Sequence, residues 1–348
     1  MPKRIYLDHN ATTPLRPESR AAMISALDVV GNPSSIHLEG RAAKAIIEKA
    51  RSQISNAFGV GAHDIVFTSG ATEAAALALR GREFEAGGIE HESVSAWVSS
   101  DLNIESGKVT VETPEKTALQ MANSETGIVQ ALPKNLGFSD MTQAFGKIPT
   151  SFAWTGANMA CASAHKLGGP RGIGCLLLQP TQTLTAQMQG GGQERGRRAG
   201  TENVVGIAGF GAAAEAAAKD LAEGKWHEIE KLRNILEETL EASGKPITFI
   251  GKDVSRLPNT SCFSAPGWKG ETQVMQMDLA GYAISAGSAC SSGKVKSGRV
   301  LKSMGYEANI SNSAIRVSLG LLTTEIEIQQ FATTWLSAYD SFLARRAA

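Results

Sequence analysis

The sequence carries no excess of either charge. Its 34 Lys and Arg balance 34 Asp and Glu, which removes the electrostatic case for a nucleic-acid partner or an anionic membrane. No apolar stretch is long enough to span a bilayer, and the first residues lack the apolar core of a secretory signal. Cysteine is scarce: four in 348 residues are not a disulfide framework, and nothing indicates export. A cytoplasmic location is the expectation. Internal repeats and low-complexity tracts are also missing. What remains is the composition of a globular protein, 42% hydrophobic and 20% charged, with length for one large core or two moderate ones.

Hydrophobic periodicity predicts a helix over about 17–30, with Met23, Ile24 and Leu27 on one face, and a longer one over 40–58. Residues 64–68 read as a buried strand. Ser69-Gly70-Ala71-Thr72-Glu73 then turns directly into an Ala-rich helix ending near Arg80. Such a start offers free backbone N–H groups and the positive helix end to an anion. The same residues also allow a plain N-cap by Ser69 or Thr72, and the two roles are compatible. A short helical pattern falls near 93–98 and a polar turn at 106–108. Strands are expected over 117–122 and over 136–139, the latter ending at Asp140. Their connection, 128–135, leaves no room for the helix a parallel crossover normally uses, so this part of the sheet should be reduced or irregular.

Residues 189–201 form a glycine-rich basic loop. It has no aromatics and sits in a neutral chain, so a phosphate or carboxylate suits it better than nucleic acid. Helices follow over 204–222 and 226–241, then strands over 247–250, 260–264 and 283–285. A helix fits 271–279, a strand 315–319, and a last helix starts near 323. This alternation implies an α/β protein. A large domain, 15–220, would hold a mainly parallel sheet between helices, and 1–14 with 221–348 would form a smaller α+β domain.

The chemistry centres on Ala162-Ser163-Ala164-His165-Lys166. An apolar run at 158–161 reads as a buried strand, 167–174 is too rich in Gly and Pro for a helix, and a second apolar run covers 175–178. Lys166 therefore sits at a strand end, where ligands of α/β sheets gather. Desolvation there can free its amine as a nucleophile. Ser163 and His165 would suit a phosphate. The stretch points to a Schiff base with pyridoxal phosphate (PLP), although an ordinary surface lysine after a strand has the same look. Cys161, Cys175 and Cys262 lie in apolar, strand-like runs and read as buried packing residues. Cys290 lies in the small, polar run 285–293, near Lys294 and Lys296, which would favour its thiolate. By itself it is also what an incidental surface cysteine looks like.

Further motifs lie in order along the chain. They are Tyr6-Leu7-Asp8 with Asn10-Ala11-Thr12-Thr13-Pro14, Gly31-Asn32-Pro33-Ser34-Ser35 with His37, and Phe67 through Glu73. Then come Glu90-His91, Asp140 with Gln143, Ser163 through Lys166, Gly190-Gly191-Gly192 with Glu194-Arg195-Gly196, and Gly200-Thr201. Gly287-Ser288-Ala289-Cys290 and Arg316-Val317-Ser318-Leu319-Gly320 end the set. Through these, over nearly its whole length, the chain resembles the cysteine desulfurases of the NifS/IscS type, within the class V, fold-type I PLP enzymes. The resemblance implies that Lys166 forms the Schiff base and Asp140 pairs with the pyridinium nitrogen, making the ring an electron sink. It implies that Gln143 bonds the phenolic oxygen and that His91 stacks on the ring and moves protons. Ala71, Thr72, Ser163 and His165 would contact the phosphate, with Thr201 supplied by the other subunit of a homodimer. Arg316 would clamp the substrate carboxylate with its guanidinium fork, and Asn10 and Asn32 would lie near the substrate. Cys290 would take sulfur from L-cysteine as a persulfide, leaving alanine, and pass it to an iron–sulfur scaffold or another thiol acceptor. No metal ligand is implied.

The sequence departs from the family pattern in three places. Ser124 stands where the family has an Asn that contacts the cofactor. The segment from 82 to 140 is short and lacks a helix before Asp140. The chain stops soon after its last helix, without the tail that some relatives use to dock a scaffold. Selenocysteine lyase, or another PLP lyase of this fold, is the alternative within enzymes, and retained Cys290 favours the desulfurase. A non-catalytic scaffold is the alternative outside them, and it would need none of Lys166, Asp140 and Cys290.

Overall fold

The computed structural model describes residues 4–287 and 298–347. The chain opens with strand β1 (Ile5–Tyr6), then helices α1 (Pro17–Leu27) and α2 (Leu38–Phe58). Next come β2 (Ile65–Thr68), α3 (Ala71–Leu79), β3 (Glu85–Gly87), the single turn α4 (Glu92–Ser95) and β4 (Ser99–Leu102). A hairpin of β5 (Ile104–Glu105) and β6 (Lys108–Val109) reverses through Ser106 and Gly107, both at positive φ, at the predicted polar turn. Then follow β7 (Ser139–Asp140), the single turn α5 (Phe152–Thr155), β8 (Met159–Ser163), β9 (Gly174–Leu178) and α6 (Val204–Ala222).

Four of these strands hydrogen-bond in the order β2-β9-β8-β7. β7 and β8 are parallel, and β9 runs against both β8 and β2. The reversal follows from chain length, because residues 164–173 are too few for the crossover a parallel neighbour needs. Parallel bridges from Phe138 to Ala118 and from Thr117 to Glu85 carry the sheet on to the parallel pair β3 and β4. The connection into β7 is irregular, as its length predicts. It turns back at an antiparallel Ala122–Val129 bridge and reaches Arg256 through Ile128.

Strand residues alternate between two apolar layers. Phe67, Ala160, Ala162, Cys175 and Leu177 face α2 and α6, while Val66, Met159, Cys161, Leu176 and Leu178 face α3. The Gly- and Ala-rich surface of α6 lets its neighbours approach closely. A Cβ on Gly211 would lie 2.6 Å from Ala50 Cα of α2. The same surface alters the expectation for α1. Its buried residues are Ser19 and Ala26, with the Ser19 hydroxyl donating to Gly209 O (2.9 Å), whereas Ile24 and Leu27 are exposed. Only small side chains fit where two backbones run this close.

The remainder builds a second core. It contains α7 (Lys225–Ala242), β10 (Thr248–Phe249), β11 (Thr260–Ser264), α8 (Gly270–Leu279), β12 (Tyr282–Ala283), the short α9 (Arg299–Ser303) and α10 (Ala308–Ser311), β13 (Ala314–Ser318) and α11 (Glu325–Ala347). β11 pairs antiparallel with β10 and β13. β1 lies parallel to β12, so Ile5 and Leu7 join Phe263, Trp268, Phe331 and Trp335 in this core. The N-terminal arm is thus anchored on the second core, and residues 8–13 are delivered to the edge of the first.

Candidate active site

β2, β7 and β8 point the same way, and their carboxyl ends open on one cavity of about 580 Å³. After Ser163 at the end of β8, a 3₁₀ turn carries His165 and Lys166. The Lys166 amine donates to the carbonyls of Asn10 (2.7 Å) and Ala11 (2.8 Å). At the end of β7 lies Asp140, buried, with Oδ1 accepting the Thr142 N–H (2.9 Å). At the end of β2 the chain enters α3 through Gly70.

Neither Ser69 nor Thr72 caps α3. Its N-cap is Gly70, without a side-chain bond, and Glu73 instead turns back to accept the Ser69 N–H (2.7 Å). The first helical bond runs from Ala74 N–H to Gly70 O (3.1 Å). The N–H groups of Ala71 and Thr72 are therefore not taken up by the helix, and both residues line the cavity. β9 passes close to this turn, where a Cβ on Gly174 would lie 2.7 Å from Gly70 Cα. The helix start is thus available to an anion, as the sequence predicts.

Electrostatics sharpen the site. Burial, then the neighbouring Lys166 charge, pushes the His165 pKa down to about 4, so this imidazole is neutral at pH 7. Its Nδ1 lies 3.2 Å from Thr12 Oγ1. Glu90 is fully buried. One oxygen accepts the Gln120 N–H (2.8 Å) and the other has no partner. Burial, with the Asp140 charge adding to it, raises its pKa well above the usual carboxylate range. Arg299 holds the Glu90-His91 turn by donating to Gly88 O (2.8 Å) and Glu90 O (2.5 Å). His91 is the N-cap of α4, its Nδ1 accepting the Ser93 N–H (3.1 Å).

The N-terminal arm supplies Asp8 and Asn10. Arg316 donates from Nη2 to Asp8 Oδ1 (2.6 Å) and from Nη1 to Ser124 O (2.9 Å), while its Nε is buried without a partner. Gln143 donates from Nε2 to Asn10 O (2.9 Å). Asn10, His91, Ser124, Gln143, Ser163 and Arg316 all line the cavity with the residues above. Ser124 enters through its carbonyl, which also receives Asn10 Nδ2 (3.2 Å).

Two expected site residues are not brought there within the chain. Asn32 is exposed and its Oδ1 accepts the Ser34 N–H (2.9 Å), closing a turn ahead of α2. Thr201 is exposed and lines a separate cavity of about 230 Å³. Ion pairs tie the glycine-rich loop to α2 and to the start of α3. Glu194 binds Arg51 (2.8 Å) and accepts the Phe67 N–H (2.9 Å), and Arg198 binds Glu73 (2.8 Å). Cys290 lies outside the described residues, but Gly287 and Arg299, near either side of that segment, line the main cavity. Cys161, Cys175 and Cys262 are buried, as expected, and burial raises all three thiol pKa values. Sequence reasoning passed over Lys147, Arg299 and the role of Glu90. Lys147 left no periodic signal: it follows Gly146, which is at positive φ, in a run of turns rather than a helix.

PLP offers an aldehyde to the lysine amine, a ring nitrogen to the buried carboxylate and a phosphate to the uncapped helix start. These residues fit it, and the large α/β unit with its second core is the architecture of PLP-dependent enzymes of fold type I. The chain belongs to the aminotransferase class-V family, whose model matches residues 5–99 and 108–331. It is 36% identical to a cysteine desulfurase of Cereibacter sphaeroides, covering 94% of each chain. It superposes on a NifS-like protein from Rickettsia africae with TM-score 0.87 and 32% identity, over 97% of this chain and 99% of the other. A structure described as SspA in complex with cysteine matches with TM-score 0.75 and 25% identity, over 92% and 100%. Among the described residues, no helix is long and apolar enough to cross a membrane.

Proposed function

We propose that this chain is a PLP-dependent cysteine desulfurase, a sulfurtransferase acting on L-cysteine. One observation carries the reading: Lys166 and Asp140 stand at the ends of adjacent parallel strands, facing the uncapped start of α3 in one cavity. The names of the relatives supply the substrate. When bound, PLP supplies an electron sink for the substrate α-carbon. Lys166 would hold the cofactor and move the α-proton. Asp140 would pair with the ring nitrogen, Gln143 would donate to the phenolic oxygen, and His91 would stack on the ring. Ala71, Thr72, Ser163 and His165 would take the phosphate. Thr201 would add to them from the second subunit of a homodimer. Arg316 binds the substrate carboxylate, and Asn10 positions the Lys166 amine.

Cys290 attacks the substrate sulfur. The carbon–sulfur bond breaks as a sulfur–sulfur bond forms, the carbon takes up a proton, and alanine leaves a persulfide behind. The persulfide passes to an iron–sulfur scaffold or another thiol acceptor in the cytoplasm. In this reading the large domain is 15–220, and the small domain combines 1–14 with 221–348.

The test is the lysine. The protein as isolated should be yellow, and borohydride should fix one pyridoxyl group on Lys166, located by peptide mass. Lys166→Ala should lose the visible band. An adduct on another lysine sinks the assignment. Light scattering should find the active species to be a dimer, and a fully active monomer would refute the role given to Thr201.

A further inference from the structure

Lys147 is a lysine that water does not reach, with 3% of its surface exposed. It lies on the segment after β7. Its amine donates to Gln143 Oε1 (2.6 Å) and to Asn10 Oδ1 (3.0 Å). Burial, with the charges of Lys166 and Arg316 adding to it, depresses its pKa well below the usual lysine range. A buried amine is costly to maintain, and a methionine of the same shape would fill the space. The position therefore calls for a donor rather than for bulk.

The donor decides which way two amides face. An amide presents an acceptor on one side and two donors on the other. Because Gln143 Oε1 receives Lys147, its Nε2 is turned away, toward Asn10 O and the cavity. Asn10 Oδ1 collects Lys147 and Asn259 Nδ2 (3.1 Å), so its own Nδ2 is committed to Thr260 Oγ1 (2.8 Å) and Ser124 O (3.2 Å). That leaves the Asn10 carbonyl aimed at the Lys166 amine. A flipped Gln143 would set its NH₂ against the Lys147 amine and its oxygen toward the cavity.

We infer that Lys147 is a positioning residue, whose amine locks the Gln143 amide with its N–H side toward the cofactor's phenolic oxygen and holds Asn10 against the Lys166 amine. The inference rests on the PLP reading. Without Lys147, Gln143 populates both orientations, one of them repulsive to that oxygen. Lys147→Met should raise the PLP dissociation constant of the holoenzyme by about two- to tenfold, the size of one lost polar contact to a bound group. It should also move the visible absorption maximum.

In a Gln143→Leu background there is no Gln143 amide to orient, so Lys147→Met should lower PLP affinity much less, leaving only the effect of its contact with Asn10. Lys147→Gln keeps an N–H donor and should restore both affinity and spectrum; it carries the test if the Met variant does not fold. An equal loss of PLP affinity in both backgrounds overturns the inference, because Lys147 would then act by packing. So does unchanged affinity and spectrum in the Met variant, even with a lower melting temperature. A wild-type protein that holds no PLP would instead remove the reading beneath it.

Discussion

Replacing Arg316 with lysine should raise the KM for L-cysteine far more than it lowers kcat. In the free chain, Arg316 uses two of its nitrogens on Asp8 (2.6 Å) and Ser124 O (2.9 Å). The third, Nε, is buried without a partner. A buried donor left unsatisfied costs about 1–3 kcal/mol, which an incoming carboxylate oxygen would relieve while forming a charge-assisted bond. Lysine keeps the charge that Asp8 needs but offers no fork. At 1.4 kcal/mol per tenfold, the loss corresponds to about a 10- to 100-fold rise in KM. In the proposed reaction the α-proton is moved by Lys166, so kcat should fall much less. Lysine is the right probe because Arg316 and Asp8 are both largely withdrawn from water. Removing the charge outright would strand Asp8 and cost about 3–5 kcal/mol of stability. The assay is alanine formation across a range of cysteine concentrations, with a thermal melt to show that the variant is folded. An unchanged KM with a folded protein would show that Arg316 only braces Asp8 and does not meet the substrate.

Cys290→Ser should keep the visible band of the cofactor and still perturb it on addition of L-cysteine, yet release no sulfide with a reductant present, since a hydroxyl is a far poorer nucleophile toward sulfur than a thiolate. A thiol-reactive trap should find persulfide on Cys290 and none on the three buried cysteines, and alanine formation at the wild-type rate in the serine variant would place the nucleophile elsewhere. Acid should weaken the fold through His9 and His165, both pushed down to about 4 chiefly by burial. Their ordinary value is 6.5, so between the two values the unfolded chain takes up protons that the folded chain refuses, and stability falls as pH drops from about 6.5 toward 4. His9→Gln should shrink the loss of melting temperature between pH 7 and pH 5 by a few degrees, and an identical loss in variant and wild type would contradict the assignment.

Local pattern was enough for much of the fold. The Ala-rich helix α6 was legible over 204–222, the same bounds the structure has, because a long period and clear breaks are written in adjacent residues. Lys166 was legible at a strand end because Gly and Pro follow it at once. The strand ending at Asp140 was legible too, although only Ser139–Asp140 pair with β8 as β7, with Phe138 bridging Ala118. The buried face of α1 was misjudged because the glycine surface of α6 chooses small partners, and that surface lies far along the chain. Asn32 and Thr201 carried recognisable motifs, but their places outside the main cavity depend on how loops pack. Lys147 looked like any lysine after a glycine, and its burial exists only once Asn10, Gln143 and Asn259 close around it. Periodicity and turn chemistry act between neighbours in sequence, whereas desolvation and hydrogen-bond direction are set by neighbours in space. Asn10 shows the difference most plainly, since its polar partners Ser124, Gln143, Lys147, Lys166, Asn259, Thr260 and Ser318 stand between 114 and 308 residues away in the chain.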